Sequence, residues 1–319
     1  MLRVLATVTM LSVLLAMFSP VAAAGYPRRP VTLIVPFPPG GATDIVGRGI
    51  AEAVRKHLPQ PVAVVNRAGG AGTVGVSEVV LARPDGYTIG LGAVAILTVQ
   101  PYLSALPYKN PGDITPILKL VNLPIVLFVR SDAPWKTASE LLEYARANPG
   151  KLRVGVPGIG TILHLNLEQL KLLAQVDMVV VPFEGPRQVA ALLGGHVDLA
   201  LAHPAAIMGY VEAGRIRVIG VFQPQRNSRF PQAQTFKELG YDITRGVYYF
   251  LFAPKNTPRT IIVVLHDAFK KALAEPTFVD LARKADFEID YQPPGALTRE
   301  LWASFEEYGR LVEYLGLKK

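Results

Sequence analysis

The chain has 319 residues, of which 50% are hydrophobic and 18% are charged. This balance excludes a disordered or fibrous protein and leaves room for about two globular domains. The chain has no cysteine, which excludes disulfides, thiolate metal ligands, cysteine nucleophiles and the lipid-bearing cysteine of a lipoprotein. The formal charge of +8 comes from scattered Lys and Arg residues, so it favours small anionic ligands over nucleic acid.

The first 24 residues have the pattern of a secretory signal peptide. Arg3 is their only charge, residues 4–18 are largely apolar, and residues 22–24 form an A-x-A cleavage site. A transmembrane anchor is the alternative, but the run is shorter than the roughly 20 apolar residues that span a bilayer. We therefore expect export, cleavage near Ala24 and a mature chain that lies outside the cytoplasm.

Residues 31–48 predict a buried strand, a Pro/Gly turn and the start of a helix. Residues 31–35 are apolar or β-favouring, residues 36–41 form the turn, and Thr43 or Asp44 can cap a helix with apolar residues at helical spacing. Backbone N–H groups of the glycines and of the first helical turn would then favour an anion, most simply a carboxylate. An ordinary turn, in which glycine serves only conformational reach, is the alternative.

The same pattern occurs a second time in the other half of the chain. Residues 152–156 predict a strand, Pro157, Gly158 and Gly160 predict a turn, and Thr161 can cap the helix that follows. Two such loops are much harder to attribute to chance than either loop alone. We therefore expect both loops to face one anionic ligand.

Strands and helices alternate along the chain, which predicts parallel sheets with helices on their faces. Ligands of such sheets bind outside the carboxyl ends of the strands. Residues 117–129 predict two strands or one bent strand, at which a second lobe begins. The last helices need a sheet to cover, so we expect a discontinuous first lobe of residues 25–125 plus 245–319 and a second lobe of residues 126–244.

Seven segments of the mature chain match a known family in order and spacing. They are YPRRPVTLIVPFPPGGATDIVGR, PVAVVNRAGGAGTVG, PDGYTIGLG, GVPGIGTILHLNLEQL, VPFEG with LLGGHVDLALA, AGRIRVIGV and FLFAPKNTPRTII. The chain thus resembles the periplasmic substrate-binding receptors of tripartite tricarboxylate transporters, the Bug family. The resemblance implies a two-lobed α/β clamshell of the type II kind, with mostly parallel sheets flanked by helices and a ligand cleft between the lobes.

The resemblance also implies a function. Members of this family capture a dicarboxylate, a tricarboxylate, an amino acid or an aromatic acid and deliver it to membrane permease subunits. They need no metal or other cofactor and contact no nucleic acid. We accordingly expect a periplasmic receptor that acts as a monomer and has no catalytic residues.

In that family two loops contact the ligand carboxylate, largely through backbone groups and ordered waters. Carried over residue by residue, the resemblance implies a site of Phe37, Pro38, Gly40, Gly41, Ala42, Thr43 and Asp44 in the first lobe and Gly158, Gly160, Thr161 and His164 in the second. Asp198 is similar to a residue that borders the cleft. Asp44 would repel a carboxylate, so we expect it to serve the helix N-terminus or to bind an amine or a water.

This sequence departs from the family pattern where the far end of a ligand would lie. Phe183 stands where relatives usually carry Tyr, and Tyr248 and Tyr249 stand where relatives tend to have Trp. Arg187 is a candidate for a second anion contact, because a guanidinium binds a carboxylate bidentately. A plain exposed helix residue is the alternative for Arg187, and these departures leave the identity of the carboxylate open.

Two other functions are alternatives to transport. A loaded clamshell can present itself to a signalling protein instead of a permease. An exported enzyme acting on a small carboxylate is the other, and His164 and Glu168 do lie four residues apart, a spacing that metals use. However, the sequence has no third ligand nearby, no P-loop lysine and no nucleophile elbow, so an enzyme is the weaker hypothesis.

Overall fold

The computed structural model describes residues 25–318, and within them two six-stranded sheets are flanked by helices. The strands are β1 (Val31–Val35), β2 (Val62–Asn66), β3 (Thr88–Ala93), β4 (Ile114–Leu123), β5 (Val126–Arg130), β6 (Arg153–Val156), β7 (Val179–Pro182), β8 (Leu199–Ala202), β9 (Ile216–Val221), β10 (Gln234–Thr235), β11 (Val247–Pro254) and β12 (Glu288–Gln292). The predicted signal peptide lies outside the described residues.

The helices cover the faces of these sheets. They are α1 (Ala42–Ala53), α2 (Thr73–Val80), α3 (Val94–Thr98), α4 (Gln100–Leu103), α5 (Ala138–Ala147), α6 (Ile162–Ala174), α7 (Arg187–Leu193), α8 (Met208–Glu212), α9 (Arg259–Ala272), α10 (Pro276–Ala285) and α11 (Pro294–Tyr314). Among residues 25–318, no helix combines the length and the apolar character needed to cross a membrane.

The first strand and helix show why the sequence folds in this way. Val31, Leu33 and Val35 of β1 are fully buried, as expected for a strand that has a parallel partner on each side and helices on its faces. In α1, Val46 and Ile50 lie on one buried face at helical spacing. This face packs the helix onto the sheet and leaves the helix N-terminus at the carboxyl end of β1.

The strand order is β12-β4-β11-β3-β1-β2 in the first sheet and β10-β9-β5-β8-β6-β7 in the second. The two-lobed α/β class is confirmed. Most strands of each sheet run in one direction, as expected, but each sheet is mixed. β11 runs antiparallel to β3 and β4, and β5 runs antiparallel to β8 and β9. Each of these two strands is the first one that the chain forms after it passes from one sheet to the other.

The chain passes between the two sheets twice. The first passage is at residues 124–125, between β4 and β5, and the second is at residues 236–246, between β10 and β11. The first sheet is therefore built from two separate parts of the sequence, and the second sheet from one. The division into lobes at residues 125 and 245 stays a prediction.

Candidate functional site

A cavity lies between the two sheets, where loops and helix ends from both of them meet. It is lined from the first sheet's side by Phe37, Gly41, Ala42, Thr43, Ala71, Ala93, Ala95, Ile96, Val247 and Tyr249, and from the second sheet's side by Pro157, Thr161, Ile162, Leu163, Gly185, Pro186, Gln188, Ala202, His203 and Ala206. Most of these side chains are apolar. No Lys, Arg, Asp or Glu of residues 25–318 is among them.

The first of the two predicted loops leads from β1 into α1. Gly41 is the N-cap of α1 and makes no side-chain capping bond, so neither Thr43 nor Asp44 is the N-cap that the sequence predicted. The Thr43 hydroxyl instead donates to the Tyr249 hydroxyl over 3.1 Å. The Gly40 N–H donates to the Asp44 carboxylate over 3.1 Å, which agrees with a role for Asp44 at the helix N-terminus.

Asp44 is held by more than this one bond. Arg48 Nε and Asn66 Nδ2 each donate to Asp44 Oδ1 over 2.9 Å. Burial raises the pKa of Asp44, but the hydrogen bonds from Arg48, Asn66 and the Gly40 N–H outweigh it and keep the pKa below its ordinary value. Asp44 is thus an ionised, fully engaged support of the loop, and it does not line the cavity.

The second predicted loop leads from β6 into α6. Thr161 is the N-cap, as predicted, and its hydroxyl accepts from the His164 N–H over 3.2 Å while it donates to the Gly158 carbonyl over 2.9 Å. The Gly160 N–H donates to His164 Nδ1 over 3.2 Å. His164 therefore supports the loop from below and does not line the cavity.

The electrostatic environment of His164 favours a neutral ring. Burial lowers its pKa, the nearby Glu168 raises it less, and Lys171 lowers it. His164 Nε2 lies 3.6 Å from Glu168 Oε1. Within residues 25–318 no group of three or more His, Asp or Glu side chains could hold a metal ion.

The N-termini of α1 and α6 both border the cavity. Gly41, Ala42 and Thr43 lie on one side of it, and Thr161, Ile162 and Leu163 lie on the other. The first N–H groups of a helix have no acceptor within the helix, and the helix dipole adds positive potential there. Two helix N-termini that converge on one uncharged cavity can bind an anion from both sides.

The two loops also contact elements on the opposite side of the cavity. Gln100 Nε2 donates to the Ile159 carbonyl over 2.8 Å. A Cβ atom added to Gly158 would lie 2.9 Å from the Ala71 Cβ atom, and one added to Gly185 would lie 2.6 Å from Pro38 Cδ. Glycine is needed at these two positions because both have positive φ and both meet a neighbour that a side chain would displace.

Two polar residues of the cavity, Gln188 and His203, were not predicted from the sequence, and a third, Tyr249, was noted only as a departure from the family pattern. Gln188 lies in α7 and His203 directly follows β8, whereas Tyr249 lies in β11. The rings of His203 and Tyr249 meet edge to face, with centroids 6.1 Å apart. The position of His203 at the carboxyl end of an apolar strand was a usable signal, because ligands of such sheets bind there.

Of the other predicted residues, Pro38, Gly40, Gly158 and Gly160 belong to the two loops but do not line the cavity, and Asp198, Arg187 and Phe183 lie outside it as well. Asp198 stands at the amino end of β8, where its carboxylate accepts from the Arg153 backbone N–H over 2.8 Å, so it is far from the carboxyl ends that carry the loops. Arg187 is exposed at the start of α7. Phe183 borders a neighbouring cleft together with Gly158. The structure thus does not bring Asp198, Arg187 or Phe183 into the cavity.

Two lobes joined by two crossings, with a cavity between them, define a clamshell ligand-binding protein. The sequence model described as tripartite tricarboxylate transporter family receptor matches residues 46–317. The chain belongs to this family, which consists of periplasmic binding proteins and not of enzymes.

Known relatives agree with this assignment over almost the whole chain. A UPF0065 protein in the gbd 5′ region of Cupriavidus necator is 36% identical over 307 residues, which covers 96% of this chain and 93% of the relative. The structure of Rpa4515 of R. palustris with adipate is 28% identical, with a TM-score of 0.87, and covers 92% of this chain and 99% of that chain. The structure of MatC from Rhodopseudomonas palustris with bound malate is 28% identical, with a TM-score of 0.84, and covers 90% and 100%.

Proposed function

We propose that this chain is an exported receptor that captures one small organic carboxylate between its lobes and delivers it to the membrane permease of a tripartite tricarboxylate-type transporter. The observation that carries the proposal is the convergence of the α1 and α6 N-termini on a cavity without charged side chains. The adipate and malate found in two relatives support a carboxylate as the ligand class. The family membership supports the permease as the partner.

The mechanism follows from the position of the donors. A carboxylate at the helix ends accepts hydrogen bonds from the free backbone N–H groups near Gly41 and Thr43 in one lobe and near Ile162 in the other. A ligand that contacts both lobes binds the closed form better than the open form, so it shifts the population towards closure. The two crossings, at residues 124–125 and 236–246, serve as the hinge.

The rest of the predicted site holds these donors in place. Asp44 and His164 fix the glycine loops, and Thr161 caps α6. Phe37 supplies apolar surface to the cavity. We propose that the lobes comprise residues 25–125 plus 245–319 and residues 126–244, and that the mature receptor acts as a periplasmic monomer.

The first experiment is a ligand screen with the purified chain from Gly25 onward. We expect at least one organic acid from a panel of mono-, di- and tricarboxylates to raise Tm and to bind with 1:1 stoichiometry in calorimetry. At 100 times its Kd such a ligand adds about 2.7 kcal/mol to the stability of the folded state. The primary amide of the same acid should not bind, because it lacks the negative charge that the helix ends favour.

A matched control uses a residue outside the cavity. Arg187→Ala removes an exposed guanidinium, so we expect Kd to stay within a factor of about two of the wild-type value, as is usual for surface substitutions. The proposal fails if no carboxylate binds, or if the acid is recovered chemically changed. A large loss of affinity in Arg187→Ala would instead move the anion site away from the helix ends.

A further inference from the structure

One polar side chain in the wall of the cavity, Gln188, takes no part in the carboxylate site. Gln188 is 2% exposed and lines the cavity, and its Nε2 donates to the Leu201 carbonyl over 3.2 Å. This bond fixes the orientation of the amide, and Gln188 Oε1 has no hydrogen-bond partner among the described residues. A buried acceptor without a donor is costly, so a ligand hydroxyl that reaches this amide from the cavity stabilises the bound state.

His203 adds a second acceptor to the same side of the cavity. Its Nδ1 lies 2.8 Å from the Pro124 carbonyl oxygen, which can only accept, so Nδ1 carries the hydrogen. Burial lowers the pKa of His203 to about 4, and the ring is therefore neutral at pH 7. In a neutral ring with a protonated Nδ1, Nε2 can only accept a hydrogen bond.

These acceptors restrict what the far end of the ligand can be. A second carboxylate would bring further acceptors against Gln188 and His203, and it would find only neutral donors such as the Tyr249 hydroxyl, with no Lys or Arg among the described lining residues to balance its charge. An ammonium group would be buried without a carboxylate, since Asp44 lies outside the cavity and is engaged by Arg48 and Asn66. A hydroxyl group is neutral and supplies the donor that both acceptors lack.

We propose that this receptor selects monocarboxylates that carry a hydroxyl group at the end remote from the carboxylate. The carboxylate lies at the N-termini of α1 and α6, and the hydroxyl donates to Gln188 Oε1 or His203 Nε2. The carbon chain or ring between them packs against Phe37, Ile96 and Leu163. This inference rests on the proposed carboxylate-binding function and names the class of carboxylate.

The test uses two series of three acids, each matched in carbon skeleton. The first series is 5-hydroxypentanoate, pentanoate and glutarate, and the second is 4-hydroxybenzoate, benzoate and terephthalate. In calorimetry with the wild-type chain, we expect the hydroxy acid of the better-binding series to bind at least about tenfold more tightly than its two counterparts. A site built to pair a hydroxyl rejects analogues that lack it by at least this factor, because its own polar groups are then left unpaired.

Two variants locate the effect. Gln188→Met keeps the volume but removes the acceptor, and His203→Phe removes the ring nitrogens. In the double variant we expect the hydroxy acid to lose its advantage and to bind within about twofold of the deoxy acid, whose own affinity is retained. Circular dichroism and Tm check that the variants are folded, and the wild-type series remains decisive if they are not. Arg187→Ala serves as the control and should keep the discrimination.

The outcomes separate this inference from the proposed function. If no acid of these series or of the wider panel binds, the proposed function itself fails. If the tightest binder found in the two series and the panel bears no hydroxyl, or binds equally well without it, the carboxylate receptor stands and the hydroxy-acid inference is overturned. A preference for the hydroxyl that persists in the folded double variant also overturns the assignment to Gln188 and His203.

Discussion

The two loops that border the cavity have the same backbone plan but are held by different chemistry. In each loop a glycine N–H donates to the side chain four residues later, from Gly40 to Asp44 and from Gly160 to His164. Asp44 is an ionised carboxylate paired with Arg48, whereas His164 is a buried ring whose pKa burial lowers. The two lobes thus reach one geometry with a charged support on one side and a neutral support on the other.

The residues that cap the two helices are not the pair that the sequence suggested. The sequence placed Thr43 beside Thr161, because each follows a Pro/Gly turn. In the structure the N-cap residues are Gly41 and Thr161, so Thr43 lies two residues into its helix and bonds Tyr249 instead. The correspondence lies in the hydrogen-bonding backbone, and the side chains that support it are free to differ.

The largest expected effect separates two glycines that share a positive φ. Gly40 has φ of +85° with nothing within 4 Å of an added Cβ, whereas Gly160 has φ of +73° and its added Cβ would lie 2.4 Å from Leu103 Cδ1. Both alanine variants have a positive φ at the substituted residue, but only Gly160→Ala also displaces side chains of the opposite lobe, Leu103 and Gln100, which bonds this loop. In calorimetry we expect Gly160→Ala to weaken carboxylate binding by roughly ten- to a hundredfold, in line with the 1–3 kcal/mol of overpacking.

Gly40→Ala is the matched control for that measurement. It should weaken binding by less than about tenfold, because the cost is limited to the left-handed backbone conformation. Equal losses of affinity in the two variants would mean that the contact of Gly160 with the opposite lobe has no part in closure. The loss of affinity in both variants would then come from the left-handed backbone conformation alone.

A smaller effect tests the capping difference. Thr161→Ala removes the hydroxyl that caps α6 and should lower the free energy of unfolding by about 1 kcal/mol. Gly41→Ser adds a hydroxyl at the corresponding position of α1, where the backbone is extended and an added Cβ meets Pro186 only at 3.5 Å. Because serine and glycine caps differ by a few tenths of a kcal/mol, we expect that variant to stay within about 0.5 kcal/mol of the wild type.

Urea unfolding without ligand measures both changes. The capping interpretation is contradicted if Thr161→Ala is as stable as the wild type. It is also contradicted if Gly41→Ser destabilises by as much as Thr161→Ala. Adding a hydroxyl at the start of one helix would then cost as much as removing the capping hydroxyl from the other.

Local patterns in the sequence predicted most of the elements. β1 and α1 were found because an apolar run is followed by a Pro/Gly turn and by helical spacing. β12 was missed because its residues EIDYQ are partly exposed at a sheet edge and give no apolar run. The short helix at Gln100–Leu103 agrees with a helical turn predicted around residues 100–104, whereas the helix at Val94–Thr98 was missed because its apolar residues directly continue those of β3. The antiparallel direction of β5 and β11 was not predicted, since it depends on partners far away in the chain.

The residues of the candidate site also fall into two groups, those that local sequence patterns predict and those that only the fold brings together. Gly41 and Thr161 were predicted to be at the site because turn and capping preferences are local, and both line the cavity. Gln188, His203 and Tyr249 come from three separate elements, and only the assembled sheets bring them together. Asp198 was assigned to the border of the cleft from the resemblance alone, and its place before the apolar residues of β8 puts it at the amino end of that strand.

The smallest expected effect concerns pH and distinguishes the two supports. The pKa of His164 lies below its ordinary 6.5, so the unfolded chain takes up this proton first and stability falls as pH drops below about 6.5. The pKa of Asp44 lies below its ordinary 3.8, so its contribution is kept until pH drops below about 3.8. The second loop should therefore weaken at milder acidity than the first. Between pH 6.5 and pH 5, we expect the unfolding free energy of a His164→Asn variant to fall less than that of the wild type. Over the same range, the unfolding free energy of an Asp44→Asn variant should fall as much as that of the wild type. The other histidines contribute equally to all three chains, so a His164→Asn curve parallel to the wild-type curve would show that the ring is not neutral in the folded protein.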